Sequence, residues 1–204
     1  MTEVSTPATA LSQRLKTETA DLHERMHQLM ARAEPFASRE RYARFVAAQY
    51  LFQQDVEHLF EDPAVQTLVR DLAERGRATD SRADLLDLQA PVPQEGIATE
   101  GVTAPEALGW LYVSEGSTLG AAFLLKEVGD KLGLHAGFGA RNLAAYPEGR
   151  ARAWKRFVAA LDAPALSATH DRVIDGARAA YGRFGQLLED QFGLATQSAL
   201  ADAH

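Results

Sequence analysis

Two histidines one helical turn apart could carry chemistry in this sequence. His23 and His27 flank Glu-Arg-Met in a segment with helical periodicity, and Lys16 lies two turns before His23 on nearly the same bearing. Two imidazoles at i and i+4 can chelate a metal ion, but the residues between them do not form the HExxH pattern of metalloproteases. A histidine beside an apolar stripe is more often a structural residue than a ligand. Spacing alone therefore leaves the role of this pair open.

The second candidate is the segment SEGSTLGAAF, residues 114–123. Gly116 and Gly120 lie one turn apart in a predicted long helix, where each glycine costs roughly 0.5–1 kcal/mol relative to alanine. At about 100° of rotation per residue, Tyr112 and Phe123 fall on the same face as the glycines. Residues expected to pack elsewhere are Trp110, Leu119 and Leu124. Either two helices approach closely at this face or a flat, bulky ligand lies against it, and the pattern favours neither.

Helices must position both candidates, because apolar residues recur at helical spacing nearly throughout the chain and no segment alternates with period two. The expected helices span residues 11–30, 38–60, 64–75, 105–132, 147–161 and 167–198. Residues 76–105 read as an irregular connector with a short helical piece near Leu85, because Gly, Pro and polar residues are mixed there. The sequence therefore predicts an all-α fold in one domain over residues 1–204, with flexible tails at 1–10 and 199–204.

Composition excludes several classes of function. The 204 residues carry a net charge of −7 and no cysteine, so thiolate metal sites, iron–sulfur clusters and cysteine nucleophiles are excluded. An acidic chain without a Lys/Arg-rich block is a poor partner for nucleic acid or for an anionic membrane. The N-terminal segment lacks the pattern of a secretory signal, and no run reaches the length of a membrane span. We expect a cytoplasmic protein with no membrane partner.

Three segments together resemble the bacterial heme oxygenase family. They are LKTETADLHERMHQLM, then RAEPFASRERYARFVAAQYLFQQ, and LGWLYVSEGSTLGAAFLLK, which is the most specific. The likeness runs from about residue 11 to the final predicted helix near Phe192. It implies an all-α fold in which heme is sandwiched between the first helix and a glycine-containing distal helix.

The resemblance also implies roles for individual residues. His23 matches the axial ligand of heme iron, whereas His27 has no role in the family and is expected to face solvent. Gly116 and Gly120 match the distal glycines above the iron, and Ser117 stands where membrane-anchored animal enzymes carry an aspartate. Further residues implied at the heme pocket are Lys16 and Tyr112 as propionate partners, Gln49 in a distal water network, and Lys126 with Tyr181, Arg183 and Phe184 at the edge.

The activity implied by the resemblance is oxidative cleavage of heme at a meso carbon. Heme b would be both substrate and cofactor, and the products would be biliverdin, carbon monoxide and ferrous iron. Lys16 with Tyr112 resembles the arrangement in members that make the IXα isomer. Dioxygen and an external electron donor are required, expected to be a flavodoxin, a ferredoxin or a flavin reductase. The expected docking patch for the donor comprises Arg39, Arg41, Arg44 and Lys126. We expect a monomer, with a bilin-binding photoreceptor as a downstream acceptor of the product.

Other classes remain open from the sequence. A heme-binding or heme-storage protein would use the same histidine and glycines without turnover. A di-iron carboxylate enzyme would need Glu-x-x-His pairs on facing helices, and the acid–histidine spacings here do not supply them. Thiamin-salvage enzymes of a related helical fold depend on an active-site cysteine, which is absent. A helical interaction module is the remaining alternative.

Overall fold

Eight α-helices account for most of the chain in the computed structural model, which describes residues 9–146 and 148–194. No β-strand occurs in these ranges, as an all-α fold requires. The helices are α1 (Leu11–Glu18), α2 (Ala20–Ala33), α3 (Arg39–His58), α4 (Pro63–Leu68), α5 (Ala78–Asp87), α6 (Glu106–Leu132), α7 (Arg150–Leu161) and α8 (His170–Phe192). Short 3₁₀ segments follow α3 and α4 and precede α7 and α8.

The first predicted helix is divided into two at Thr19. This residue has φ −120° and ψ 13°, outside the helical region, and its hydroxyl donates a 2.7 Å hydrogen bond to the carbonyl of Leu15. A threonine that bonds back to the preceding turn competes with regular helix geometry. The prediction of one continuous helix over residues 11–30 was therefore wrong. His23 now lies in the first turns of a separate helix, α2.

Helix ends follow local signals in the sequence. The Ser38 hydroxyl accepts a 3.1 Å hydrogen bond from the amide of Arg41 and caps α3, and the carboxylate of Asp62 caps α4 through the amide of Ala64. Gly133, at φ 67°, ends α6 as predicted. The third predicted helix was too long, because α4 ends at Leu68 and only a 3₁₀ turn follows. The last was also too long, since Gly193 ends α8; its predicted end at Ser198 lies outside the described residues.

Helices α6 and α8 form the centre of the fold and contact each other more extensively than any other pair of elements. Gly109 of α6 and Gly176 of α8 make this approach possible. A Cβ atom on Gly109 would overlap the backbone of Val173 and Ala177, and one on Gly176 would overlap the backbone of Glu106. Helices α2 and α3 pack against α8, and α7 packs against α6.

One buried carboxylate attaches the connector between α5 and α6 to helix α3. Asp55 of α3 is 1% exposed, accepts a 2.7 Å hydrogen bond from the amide of Ala98, and is ion-paired with Arg183 at 2.9 Å. The hydroxyl of Thr99 donates to the Asp55 carbonyl at 2.7 Å. Within the described ranges, no helix combines the length and hydropathy needed to cross a bilayer.

Candidate functional site

A cavity of about 950 Å³ lies between α2 and the part of α6 that runs from Tyr112 to Lys131. This volume falls in the range of small-molecule and cofactor sites. The apolar part of its lining comprises Met26, Met30, Phe36, Val113, Leu119, Phe123, Leu124, Trp154 and Phe184. Phe123 is 78% exposed, an unusual position for a large aromatic side chain in the absence of something to cover it.

One wall of the cavity carries the histidine pair of α2. Both His23 and His27 line it, and their rings meet edge-on with centroids 4.6 Å apart. Partial burial lowers the pKa of His23, and the charge of His27 lowers it further. Both effects favour the neutral imidazole, which is the form that binds a metal. His27 is exposed to solvent, as expected, and it also lines the cavity because residues four apart on a helix share one face.

The opposite wall is the glycine strip of α6. A Cβ atom on Gly120 would meet nothing within 4 Å, and one on Gly116 would only touch the Trp154 ring at 3.7 Å. Close helix packing therefore does not explain these two glycines. They leave the α6 backbone uncovered toward the cavity, and a flat ligand could approach it there. Tyr112 and Phe123 flank the strip and line the cavity, as the helical spacing predicted.

Polar groups in the lining of the cavity could hold the acidic edge of a ligand. Lys16 is exposed, and it lines the cavity together with Tyr112 and Tyr181, which carry phenolic hydroxyls. Burial, and next the proximity of Tyr181, raise the pKa of Tyr112 to about 12. Tyr112 therefore remains a hydrogen-bond donor at physiological pH. An ammonium group and a neutral phenol are suited to carboxylates.

A smaller cavity of about 150 Å³ adjoins the main one behind Ser117. Gln49 lines this smaller cavity, and its side-chain oxygen is buried without a hydrogen-bond partner in the described structure. Gln53, Arg77 and Asn142 also line it. Most of the lining is apolar, but a cavity of this size has room for ordered waters beside its polar groups. The Ser117 hydroxyl donates to the carbonyl of Ser114 at 2.6 Å, so its oxygen can still accept a bond from such a water.

A buried ionic network supports α6 immediately before the glycine strip. Glu115 is 2% exposed and accepts hydrogen bonds from Arg75 at 2.5 Å and from the Tyr146 hydroxyl at 2.6 Å. Arg77 donates to the carbonyl and hydroxyl oxygens of Ser114 at 3.0 and 2.8 Å. Burial raises the pKa of Tyr146, and the Glu115 carboxylate raises it further. These contacts fix the position of the backbone that Gly116 leaves uncovered.

The lining residues fit heme on chemical grounds. The cavity offers imidazoles, bare glycine backbone, apolar side chains, and a cation with phenols among its lining groups. The sequence model of the heme oxygenase family matches residues 9–190. The heme oxygenase PigA of Pseudomonas aeruginosa is 49% identical over 191 residues, which cover 92% of this chain and 96% of that protein.

The chain belongs to the heme oxygenase family.

Solved heme oxygenases share the fold. The NO- and CO-bound heme oxygenase of Neisseria meningitidis is 34% identical, with a TM-score of 0.84 over 93% of this chain and 96% of that one. Heme oxygenase-1 of the cyanobacterium Synechocystis, solved in complex with heme, is 17% identical, with a TM-score of 0.72 over 96% of each chain. The resemblance seen in the sequence and the all-α fold are thereby confirmed. The protein is an enzyme of heme degradation.

Most of the heme oxygenase residues expected at the site are brought together by the fold. The main cavity is lined by His23, Lys16, Tyr112, Gly116, Ser117, Gly120, Tyr181 and Phe184. Gln49 lies in the adjoining cavity instead. Arg183 points away and is ion-paired with Asp55 and Glu95 at 2.9 Å in each case.

Lys126 does not line either cavity, contrary to the expectation for this family. Its side chain is 77% exposed and pairs with Asp130 at 2.5 Å, because position 126 lies away from the face that carries the glycines. Lys131 lines the cavity instead, ion-paired with Glu127 at 2.6 Å. Lys131 follows Gly120 by eleven residues, or about three helical turns, so helical periodicity places both on the same face of α6. This spacing was a signal that could have predicted Lys131 at the heme oxygenase pocket.

Three further residues were misplaced or missed. Leu119 and Leu124 were expected to pack elsewhere, but both line the cavity because its face of α6 is wider than one row of residues. Trp110 is 4% exposed and packs beside Phe52, as expected. Trp154 comes from α7, and nothing in its own helix links it to the glycine strip.

Proposed function

We propose that this enzyme binds heme b as substrate and cofactor together, with His23 as the axial ligand of the iron and Gly116 and Gly120 as the opposite wall. The observation that carries the proposal is the open space above Gly120, across the cavity from the neutral imidazole of His23. When bound, heme supplies the iron at which dioxygen is activated for oxidative cleavage of its own ring at a meso carbon. The products are biliverdin, carbon monoxide and ferrous iron.

The chain's own residues orient and protect this reaction. The bare backbone at Gly120 leaves room for a diatomic molecule beside the ring, whereas any larger side chain would occupy that space. Ser117 and Gln49 are among the polar groups that line the smaller cavity, where ordered water can deliver protons without a strong acid. A shared proton path of this kind would explain why the unpaired oxygen of Gln49 is buried. We propose Gly116, Gly120, Ser117 and Gln49 as the catalytic set.

The direct test is to add hemin, then a reductant in air, and to follow the absorption spectrum. Wild-type enzyme is expected to convert the Soret band into a biliverdin spectrum. His23→Ala should lose the axial-histidine signature and turnover, because it removes the imidazole assigned to the iron. His27→Ala is the matched control, since it removes the neighbouring imidazole from the same wall, and it should keep both. Equal effects of the two substitutions would refute the assignment of His23.

We propose that Lys16 and Tyr112 hold the heme propionates and thereby select the biliverdin IXα isomer. Both line the cavity, and an ammonium and a phenol bound to the propionates would fix the rotation of the ring relative to the glycine wall. Phe184 closes the same cavity on the α8 side. Chromatography of the product should give IXα from the wild type and a mixture from the Lys16→Ala/Tyr112→Phe double variant. A dominant beta or delta isomer from the wild type would refute the assignment.

We also propose that the enzyme is a single domain that works as a monomer in the cytoplasm. A flavodoxin, a ferredoxin or a flavin reductase would supply electrons, and a bilin-binding photoreceptor would accept the product. The net charge of −7 disfavours nucleic acid or an anionic membrane as a partner. None of the described helices is long and apolar enough to cross a membrane. Size-exclusion chromatography with light scattering tests the monomer, and a dimer mass would contradict it.

A further inference from the structure

Ser114 and Thr118 lie on the side of α6 that faces away from the main cavity. They are 1% and 3% exposed, and about 200° of helical rotation separates Thr118 from each glycine of the strip. Gly116 and Gly120 contribute no side chain, and glycine gives a backbone more conformational freedom than any other residue. The position of the strip therefore depends on what holds the buried side of the same segment.

Two guanidinium groups hold backbone carbonyls on this buried side. Arg77 donates to the carbonyl of Ser114 at 3.0 Å, and Arg150 donates to the carbonyl of Thr118 at 2.8 Å. In a regular helix each carbonyl also accepts from the amide four residues later, so these bonds are additional to the helical ones. Hydrogen bonds from a charged donor are stronger than those between neutral groups. The segment is thus held at two points one turn apart.

Arg150 also binds a second element. Its other terminal nitrogen donates to the carbonyl of Leu143 at 2.5 Å, in the 3₁₀ turn Asn142–Ala144. Thr118, Asn142 and Leu143 all line the smaller cavity. One planar guanidinium, carried by the first residue of α7, therefore bridges the middle of α6 and this turn.

The location of Arg150 is unfavourable for a cation on local grounds. It is the first residue of α7, where the helix dipole disfavours positive charge, and the first turn contains no acidic residue. The side chain is half-buried and has no ion pair among the described residues. Burial lowers the pKa of Arg150, and the charge of Arg77 lowers it further. The bonds to the Thr118 and Leu143 carbonyls are the contacts that offset these costs.

Another arginine of α7 has the ordinary role of a surface ion pair. The guanidinium of Arg156 is paired with Asp71 at 3.0 Å, with Glu74 at 3.3 Å and with Glu148 at 3.0 Å. None of these partners belongs to α6. Arg150 and Arg156 therefore both attach α7 to its neighbours, but of these two only Arg150 does so through the segment that carries the glycine strip.

We propose that Arg150 is a positioning residue for the glycine wall of the active-site cavity. By joining the carbonyl of Thr118 to that of Leu143, it keeps the backbone between Gly116 and Gly120 in place, so that the wall stays open without side chains to support it. The inference rests on the proposed function, because the wall matters for the reaction only if heme lies against it. Arg150 itself touches neither cavity and acts through the α6 backbone.

Hydrogen exchange in the hemin-free protein is the first test. Arg150→Met removes both carbonyl bonds and keeps an unbranched side chain, so the amides of residues 116–124 should exchange about tenfold faster than in the wild type. Arg156→Met is the matched control, with the same substitution in the same helix, and it should leave exchange in this segment unchanged. Circular dichroism verifies that both variants are folded. Faster exchange in both variants, or in neither, would overturn the proposal.

Arg150→Lys separates the bridge from the charge, and it is also the variant to use if Arg150→Met does not fold. Lysine keeps the positive charge but lacks the planar fork that reaches two carbonyls in different directions. Exchange in residues 116–124 should therefore be closer to that of Arg150→Met than to that of the wild type. Full protection by lysine would show that a charge is sufficient and would overturn the bridging role.

The hemin-loaded protein gives a spectroscopic test. After reduction and addition of carbon monoxide, the infrared C–O stretching band should be single and narrow in the wild type and in Arg156→Met. In Arg150→Met it should broaden or split, because the wall then takes more than one position. An unchanged band would overturn the positioning role. If the wild type bound no hemin, the proposed function would fail, whereas hydrogen exchange would still decide whether Arg150 holds the strip.

Discussion

Helix α6 has glycines with opposite surroundings near its start and in its middle. Near its start, Gly109 is packed against the backbone of α8, where Gly176 provides the matching gap. Two turns later, Gly116 and Gly120 lie over a cavity, and a side chain on Gly120 would meet nothing. Glycine allows close packing of two helices at Gly109 and leaves open space beside the backbone at Gly120. A glycine in a helix therefore has a function only in relation to what lies across from it.

The largest expected effect is at the contact between Gly109 of α6 and Gly176 of α8. Gly109→Ala or Gly176→Ala places a Cβ atom on backbone, which cannot move aside as a flexible side chain can. We expect a loss of about 3 kcal/mol in the free energy of unfolding, or roughly 10 °C in Tm. Thermal unfolding followed by circular dichroism measures this. An unchanged Tm in both variants would show that the two helices are not held by these glycines.

At Gly120, which faces the cavity, we expect a substitution to leave stability intact and to weaken ligand binding. Gly120→Leu should leave the unfolding free energy of the hemin-free protein unchanged or slightly higher, because leucine favours helix and meets open space. Hemin affinity should fall by about two orders of magnitude, since the leucine occupies the ligand's place. Titration of hemin measures the affinity.

The matched control for that substitution is Gly182→Leu. Gly182 is an exposed glycine of α8 with nothing within 4 Å of a Cβ atom, and it does not line the cavity. It should share the small gain in stability and keep normal hemin binding. If Gly120→Leu bound hemin as well as this control does, the strip would be a packing feature with no ligand above it.

A pH effect is expected at Tyr112, which lies between the two glycine regions. Its pKa is raised to about 12 by burial and then by Tyr181, so the folded protein holds this proton more tightly than the unfolded chain does. The stabilisation from Tyr112 is complete below pH 10, the ordinary pKa, and is lost as the pH rises toward 12. Tyr112→Phe should therefore lose less stability between pH 9 and pH 11 than the wild type. Urea unfolding at the two pH values measures the difference, and an equal loss would contradict it.

The smallest expected effect is that of Gly120→Ala. A single methyl group lowers the backbone entropy of the unfolded chain and should stabilise the hemin-free protein by about 0.5–1 kcal/mol. Hemin binding should weaken only slightly, in contrast to the leucine variant. Destabilisation by alanine would mean that the strip is more closely packed than its open surroundings indicate.

Much of the fold could be predicted from the sequence, because helical periodicity and capping residues are local signals. The face shared by Tyr112, Gly116, Gly120 and Phe123 followed from rotation alone. The purpose of the glycines did not, since it depends on a partner helix or its absence. Trp154 was missed for the same reason: its place beside Gly116 arises from the packing of α7 on α6. The break at Thr19 was missed because one side-chain hydrogen bond interrupts an otherwise continuous pattern.

The break at Thr19 places the proposed propionate partner and the proposed iron ligand on two separate helices. Lys16 belongs to α1, whereas His23 belongs to α2, and the chain between them leaves helical geometry at Thr19. Under the proposed roles of Lys16 and His23, a substitution that shifts α1 would rotate the ring in its plane while His23 of α2 keeps the iron. The proposed regiochemistry and iron ligation would then be separately adjustable, so the biliverdin isomer would change by mutation without loss of heme.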